Sequence, residues 1–215
     1  VVKLEVEAPL IARSRKAGHF VIVRVDANGE RIPLTIADSD TEKGTITLVI
    51  QKIGASSTKI TNLNVGDELL DVVGPLGKAT HIDKFGTVVC SGGGVGVAPL
   101  LPIIKAMKAA GNKVISVLAA RTKDLVILEE QVREYSDEVV IMTDDGSYGK
   151  AGRVTDGIEE IAKREKIDLC VTIGPAIMMK FVSLLTKKYD IPTVASLNTI
   201  MVDGTGMCGA CRITV

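Results

Sequence analysis

Tryptophan is absent from this 215-residue sequence, and Tyr and Phe occur three times each, so aromatics make up 3% of the chain. Base stacking on aromatic side chains, a main grip on single-stranded nucleic acid, therefore has almost nothing to work with. An excess of either charge is also missing: 26 Lys and Arg balance 26 Asp and Glu, for a formal net charge of zero. Nucleic-acid binding needs a positive footprint, so no nucleic-acid partner is expected. No run approaches the roughly 20 apolar residues of a membrane-spanning helix. Lys3, Glu5 and Glu7 also make the N-terminus unlike a signal peptide. The expectation is a protein with no membrane partner, in the cytoplasm. Its first residue is Val rather than Met, so trimming at that end is expected. Four cysteines are too few for a secreted disulfide scaffold. The two histidines, His19 and His81, have no partner pattern and read as structural.

What remains is a core of Val, Ile, Leu, Ala and Met, with 21 glycines to turn the chain. At about 150 residues per domain, the length allows one large domain or two small ones. Two textures divide it. Up to about residue 84 there are short β-like runs, Leu4–Glu7, His19–Val25, Thr45–Gln51 and Glu68–Val73, separated by turn residues. That spacing predicts a small antiparallel barrel or sandwich. From residue 85 to 197, apolar strands alternate with helices expected near 97–110, 127–136, 154–165 and 176–188. Five continuous apolar strands with four crossovers predict a doubly wound, five-stranded parallel sheet covered on both faces. Residues 198–215 break the alternation and read as a third, incomplete piece.

A doubly wound sheet takes its ligand at the carboxyl ends of its strands. There the first strand of the α/β half runs into Gly92-Gly93-Gly94-Val95-Gly96-Val97-Ala98-Pro99. Glycines let backbone N–H groups approach a phosphate, and the helix that follows favours an anion at its start. The spacing is not a strict G-x-G-x-x-G, because the third glycine falls on Val97 or Pro99. The second strand ends in Ala119-Ala120-Arg121, without the acid that usually holds an adenine ribose. The pattern predicts a variant dinucleotide site. Two more loops fall on the same edge, Thr143-Asp144-Asp145-Gly146-Ser147-Tyr148-Gly149 and Gly174-Pro175-Ala176. Asp144-Asp145 reads as loop capping rather than acid–base apparatus. In the first half, Arg31-Ile32-Pro33-Leu34-Thr35-Ile36 and the hydroxyl-rich Gly54-Ala55-Ser56-Ser57-Thr58 could together hold a pyrophosphate. By themselves they read rather as an exposed Arg and a polar loop.

The tail reads Asp203-Gly204-Thr205-Gly206-Met207-Cys208-Gly209-Ala210-Cys211. Plant-type [2Fe–2S] sites use C-x₄-C-x₂-C with a distant fourth Cys. Here Cys208 and Cys211 supply C-x₂-C, and Asp203 stands at the first position with its spacing kept. A zinc half-site, a redox dithiol and two plain thiols are the alternatives. A fourth cluster ligand is expected from a segment beyond residue 215.

In this order the motifs resemble those of the ferredoxin–NADP⁺ reductase superfamily. Arg31 to Thr35, Gly54 to Thr58, Gly74-Pro75-Leu76-Gly77, Gly92 to Pro99, Gly174-Pro175 and the terminal cysteines carry the resemblance. The phrases from Thr143 to Gly149 and from Met201 to Cys211 narrow it. They resemble the electron-transfer subunits of dihydroorotate dehydrogenase B and the small subunits of NADH-dependent ferredoxin–NADP⁺ oxidoreductases, also labelled sulfide dehydrogenases. The resemblance implies an FAD-binding β-barrel over 1–84, a nicotinamide-nucleotide domain over 85–197 and the start of a [2Fe–2S] domain over 198–215. Arg31, Pro33, Leu34 and Thr35, with Val49, Ile50, Gln51, Gly54, Ser56 and Ser57, would hold FAD. Gly93, Gly94, Gly96, Arg121, Asp145, Gly174 and Pro175 would frame NADH or NADPH. Asp203, Cys208 and Cys211 would be cluster ligands, and Asp203 favours the bifurcating oxidoreductases over the dihydroorotate enzymes. The implied activity is hydride transfer from NAD(P)H to FAD, with electrons passed singly to a larger flavin and iron–sulfur partner subunit in a heterodimer.

Overall fold

The computed structural model describes residues 1–214, so Val215 at the end of the 198–215 segment lies outside the described residues. The chain divides into two compact units, one of residues 1–80 with residues from 198 onward, the other His81–Leu197.

The first unit is built on five strands: β1 (Val2–Glu7), β2 (Phe20–Arg24), β3 (Ile32–Asp40), β4 (Thr45–Ile50) and β5 (Asp71–Leu76). Their order is β1-β4-β3-β2-β5 and the pairings are antiparallel. Alternation in β4 explains the core: Ile46, Leu48 and Ile50 point inward and are at most 2% exposed, while Thr45, Thr47 and Val49 take the other face. Val21, Val23, Ile36 and Ile60 complete that core. Each such fully buried side chain contributes about 1.5–3 kcal/mol. Among the described residues β1 and β5 stand at the two ends of this antiparallel order, the all-β antiparallel architecture that the turn spacing predicts. Two short helices were not expected: α1 (Pro9–Ser14) and α2 (Ala55–Thr61).

The second unit carries β6 (Thr87–Gly93), α3 (Val97–Ala109), β7 (Lys113–Ala120), α4 (Glu129–Glu134), β8 (Glu138–Thr143), β9 (Lys150–Ala151), α5 (Val154–Arg164), β10 (Leu169–Ile173), α6 (Ala176–Lys188) and β11 (Thr193–Ala195). All pairings are parallel, in the order β11-β10-β6-β7-β8-β9. The sheet thus has six strands rather than five. The extra one, β9, has two exposed residues and no apolar signature to announce it. Burial on both faces makes the central strands continuously apolar, as in Val88, Val89 and Cys90, all 0% exposed. Helix α5 buries Val154, Ile158 and Ile161 along one stripe. Its start is capped by Asp156, whose Oδ2 accepts the Arg153 N–H at 2.7 Å. Helix α4 is shorter than expected because Leu128 sits in the left-handed region at φ 56° and prevents an earlier start.

Asn112 is buried and fully satisfied. Its Nδ2 donates to the carbonyls of Asp83 and Met107, and its Oδ1 accepts from Phe85 and Gly86. It fixes the approach to β6 against the end of α3. No helix among the described residues is long and apolar enough to cross a membrane.

Candidate functional sites in the two units

In the parallel sheet, the order of strands reverses between β6 and β10: the chain steps from β6 outward through β7 and β8 on one side, then continues with β10 and β11 on the other. Such a switch point opens a crevice at the strands' carboxyl ends. The glycine turn after β6 and Gly174-Pro175 after β10 both fall there, and the structure presses them together. A Cβ on Gly96 would stand 2.6 Å from the Ile173 carbonyl oxygen and 2.9 Å from the Gly174 Cα. A Cβ on Gly93 would meet Met178 Sδ at 2.4 Å and Pro175 Cδ at 3.2 Å. Packing therefore requires Gly96, whose neighbours are backbone, whereas at Gly93 the flexible Met178 side chain could give way. Gly94 differs: its φ is +54° and open space lies where a Cβ would be. That open cradle, at the start of α3, suits a phosphate. On β10 the hydroxyl of Thr172 is buried without a hydrogen-bond partner, two residues before Gly174. The open glycine cradle fits an anionic ligand at this edge; the Thr172 hydroxyl, on a residue 0% exposed, is an orphan inside the sheet.

The next two strand ends are tied to each other. The Asp145 N–H donates to the Arg121 carbonyl at 3.3 Å. The Lys123 N–H donates to Ser147 Oγ at 2.9 Å. Asp145 Oδ1 accepts the Ser147 hydroxyl at 2.7 Å and its N–H at 3.0 Å. Those two donors, the hydroxyl first, hold the Asp145 carboxyl below the usual carboxylate range. Asp145 is thus a capping residue of its own turn, as its loop chemistry suggested, and Arg121 is exposed beside it. Ser147 is the residue sequence reasoning did not single out. Its D-x-S spacing, able to form an Asx-type turn, was the available signal.

In the antiparallel unit, the pairing of Ile36 with Leu48 runs the start of β3 beside the end of β4. This brings Arg31, Pro33, Leu34 and Thr35 to the same end of the sheet as Val49, Ile50 and Gln51, with Gly54 and α2 just beyond. Arg31 is exposed, and its Nη1 reaches Asp71 Oδ2 at 3.4 Å. Arg24 approaches the same carboxylate at 3.9 Å, a second cation that the sequence reading missed. The hydroxyls are partly committed. Ser57 Oγ accepts the N–H groups of Ile53 and Gly54 at 3.0 and 2.9 Å, and the Ser56 hydroxyl donates to Glu30. Open space surrounds the position of a Gly54 Cβ. Ile50 is 2% exposed, so its side chain belongs to the core and only its backbone can face a ligand.

The tail packs on β2: a Cβ on Gly204 would meet Ile22 Cδ1 at 2.5 Å. Asp203 Oδ1 accepts the Thr205 N–H at 2.9 Å and Oδ2 the Cys208 N–H at 3.0 Å. Partial desolvation raises the Asp203 carboxyl, but these backbone donors outweigh it and hold the group below its ordinary value. Cys208 and Cys211 are free and exposed. Among the described residues no three His, Cys, Asp or Glu side chains gather closely enough to hold a metal. Asp203, Cys208 and Cys211 share one loop without converging on a point. Cys90 and Cys170 are buried in the parallel sheet; burial pushes the Cys170 thiol up to about 12 and that of Cys90 higher still.

Comparison with known proteins matches these units to named domains. The oxidoreductase FAD-binding domain family matches residues 2–81, and the oxidoreductase NAD-binding domain family matches residues 91–184. The chain is 47% identical over 210 residues to the dihydroorotate dehydrogenase B (NAD(+)) electron transfer subunit homolog of Thermotoga maritima, covering 98% of this chain and 74% of that one. It is 34% identical over 215 residues to the dihydroorotate dehydrogenase B (NAD(+)) electron transfer subunit of Bacillus caldolyticus, covering 97% and 81%. Its fold is similar to that of an NADH-dependent reduced ferredoxin-NADP oxidoreductase structure solved for insight into flavin-based electron bifurcation. That likeness has a TM-score of 0.94 at 43% identity, over 99% of this chain and 77% of the other.

Proposed function

The chain belongs to the family of dihydroorotate dehydrogenase B (NAD(+)) electron transfer subunits, and from that premise we propose how its residues serve a route from NAD(P)H through FAD to a [2Fe–2S] cluster and a partner subunit. It is an oxidoreductase with an FAD-binding and an NAD-binding domain. The observation that carries the reading is the glycine turn at the switch point, with its open cradle at Gly94.

When bound, FAD accepts an electron pair as hydride from the nicotinamide and releases electrons singly, and a [2Fe–2S] cluster carries one at a time. The chain's own residues bind and orient. Arg31 supplies the fixed positive charge for the flavin's pyrophosphate, and Pro33, Leu34 and Thr35 with Val49, Ile50 and Gln51 give the sheet-end surface beside it. Gly54, Ser56 and Ser57 furnish backbone and hydroxyl donors. The turn of Gly93, Gly94 and Gly96 offers N–H groups to the nucleotide's pyrophosphate, Gly174-Pro175 closes the crevice, and Arg121 with Asp145 meets the adenosine half, in NADH or NADPH. Asp203, Cys208 and Cys211 would hold iron. Two exposed thiols and a carboxylate kept ionised are a fitting donor set, with Cys90 and Cys170 too buried to add a fourth. Exposed unpaired thiols fit a reducing, cytoplasmic setting.

Purified full-length protein reconstituted with FAD, iron and sulfide tests this. Flavin absorption together with a [2Fe–2S] EPR signal after reduction is the expected result; absence of both overturns it. The partner that co-purifies decides the acceptor. The names of the relatives favour a dihydroorotate-oxidising partner as the second reading, and Asp203 favours a larger flavin and iron–sulfur subunit.

A further inference from the structure

We propose that Ser147 is a positioning residue for the nicotinamide dinucleotide, fastening the loop after β8 to the loop after β7 so that Arg121 is ordered before the nucleotide arrives. The proposal rests on the reading that the parallel sheet takes NADH or NADPH.

The two loops are closed on each other at both ends. At one end the Asp145 N–H donates to the Arg121 carbonyl; at the other the Lys123 N–H donates to the Ser147 hydroxyl oxygen at 2.9 Å. The same hydroxyl donates to Asp145 Oδ1 at 2.7 Å, so one side chain bridges a carboxylate and a main-chain amide. Residues 121 and 123 thereby become one side of a small ring, and 145 and 147 the other. A second link runs beside it. Lys123 Nζ stands 5.5 Å from the centroid of the Tyr148 ring, and the Tyr148 hydroxyl donates to Glu129 at 3.0 Å.

The position of the ring gives it a use. β7 is the neighbour of β6 on the side away from β10. A pyrophosphate seated on the β6 glycine turn leaves the adenosine half over the end of β7, where Arg121 begins the loop. Without the Ser147 bridge, the nucleotide would have to order that exposed loop itself and lose backbone entropy in doing so. The bridge therefore acts on binding and leaves the bound reaction untouched, which separates it from a group at the reacting atoms. Ser147 is exposed and bonds to Lys123 and Asp145, themselves exposed, so its removal does not threaten the fold.

The test is anaerobic stopped-flow reduction of the flavin in full-length, FAD-loaded protein, across concentrations of NADH and of NADPH, for wild type, Ser147→Ala and Ser147→Thr. Loss of one preorganising hydrogen bond should raise the half-saturating concentration of the preferred nucleotide about three- to tenfold in Ser147→Ala. The limiting rate should stay within about twofold, and Ser147→Thr, which keeps the hydroxyl, should restore saturation. Unchanged half-saturation in Ser147→Ala overturns the proposal. So does a fall in limiting rate alone, or a Thr variant no better than Ala. A wild-type flavin that neither nucleotide reduces defeats the parent reading and the proposal together; a reducible wild type with an unaltered Ser147→Ala defeats the bridge alone.

Discussion

Asp203 and Cys208, five residues apart, are joined through the main chain: the carboxylate Oδ2 accepts the Cys208 N–H at 3.0 Å while Oδ1 holds the Thr205 N–H. The carboxylate thus shapes the loop that carries both exposed thiols. As a proposed ligand it has an oxygen where the other two positions have sulfur. Asp203→Cys should retain iron and sulfide but change the cluster's reduction potential, read by EPR-monitored redox titration. Cys208→Ser and Cys211→Ser should each lose most of the iron. An Asp203→Cys protein that folds yet binds no cluster counts against the ligand role.

The glycine turn separates packing from backbone strain. Gly96→Ala drives a methyl into the Ile173 carbonyl and Gly174, both backbone, so the two turns must part. A cost of about 1–3 kcal/mol is expected, with weaker nucleotide binding. Gly94→Ala meets only open space and carries the strain of φ +54°, on the order of 1 kcal/mol. Urea unfolding of the two variants should rank Gly96→Ala as the less stable, and equal stability would refute the packing reading.

Arg31 is proposed as the flavin's phosphate partner, and in this structure its exposed pair with Asp71 is worth little, about 0–1 kcal/mol. Arg31→Ala should therefore leave the unfolding midpoint of the flavin-free protein nearly unchanged. Its FAD dissociation constant should rise at least about tenfold, the loss expected for one charge-assisted hydrogen bond. Fluorescence titration with FAD measures this; unaltered affinity would remove Arg31 from the site.

Asp137 gives the parallel sheet a pH-dependent anchor. Its Oδ1 accepts Lys108 Nζ at 2.6 Å and its Oδ2 the Val114 N–H at 2.8 Å, and these donors, Lys108 first, lower its carboxyl from the ordinary value. The folded pKa lies below the unfolded one, so the stabilisation is present above about pH 4 and is lost as pH falls through the folded pKa. Asp137→Asn should be less stable than wild type at neutral pH and approach it as the pH falls through the folded pKa. Urea midpoints followed from neutral to acid pH decide it; a constant difference would exclude the linkage.

The α/β half was legible because strands buried on both faces read as unbroken apolar runs, as in Val114 to Leu118, and α5 shows its stripe plainly. What escaped carried weak local signals. β9 is only Lys150 and Ala151, both exposed. α2 is written in Ser and Thr, which favour turns until Ser57 accepts the N–H groups of Ile53 and Gly54. The glycine turn was visible as a motif, but not that Gly96 is demanded by the Ile173 carbonyl, a contact between residues far apart in sequence. The tie between Ser147 and Lys123 was hidden for the same reason.

The most direct measurement is the anaerobic visible spectrum of full-length protein reconstituted with FAD, recorded before and after addition of NADH or NADPH. Bound flavin that one of the nucleotides bleaches is the expected result. Protein that retains no flavin after reconstitution, or whose flavin neither nucleotide reduces, would contradict the assignment of this chain's two units to flavin and nicotinamide.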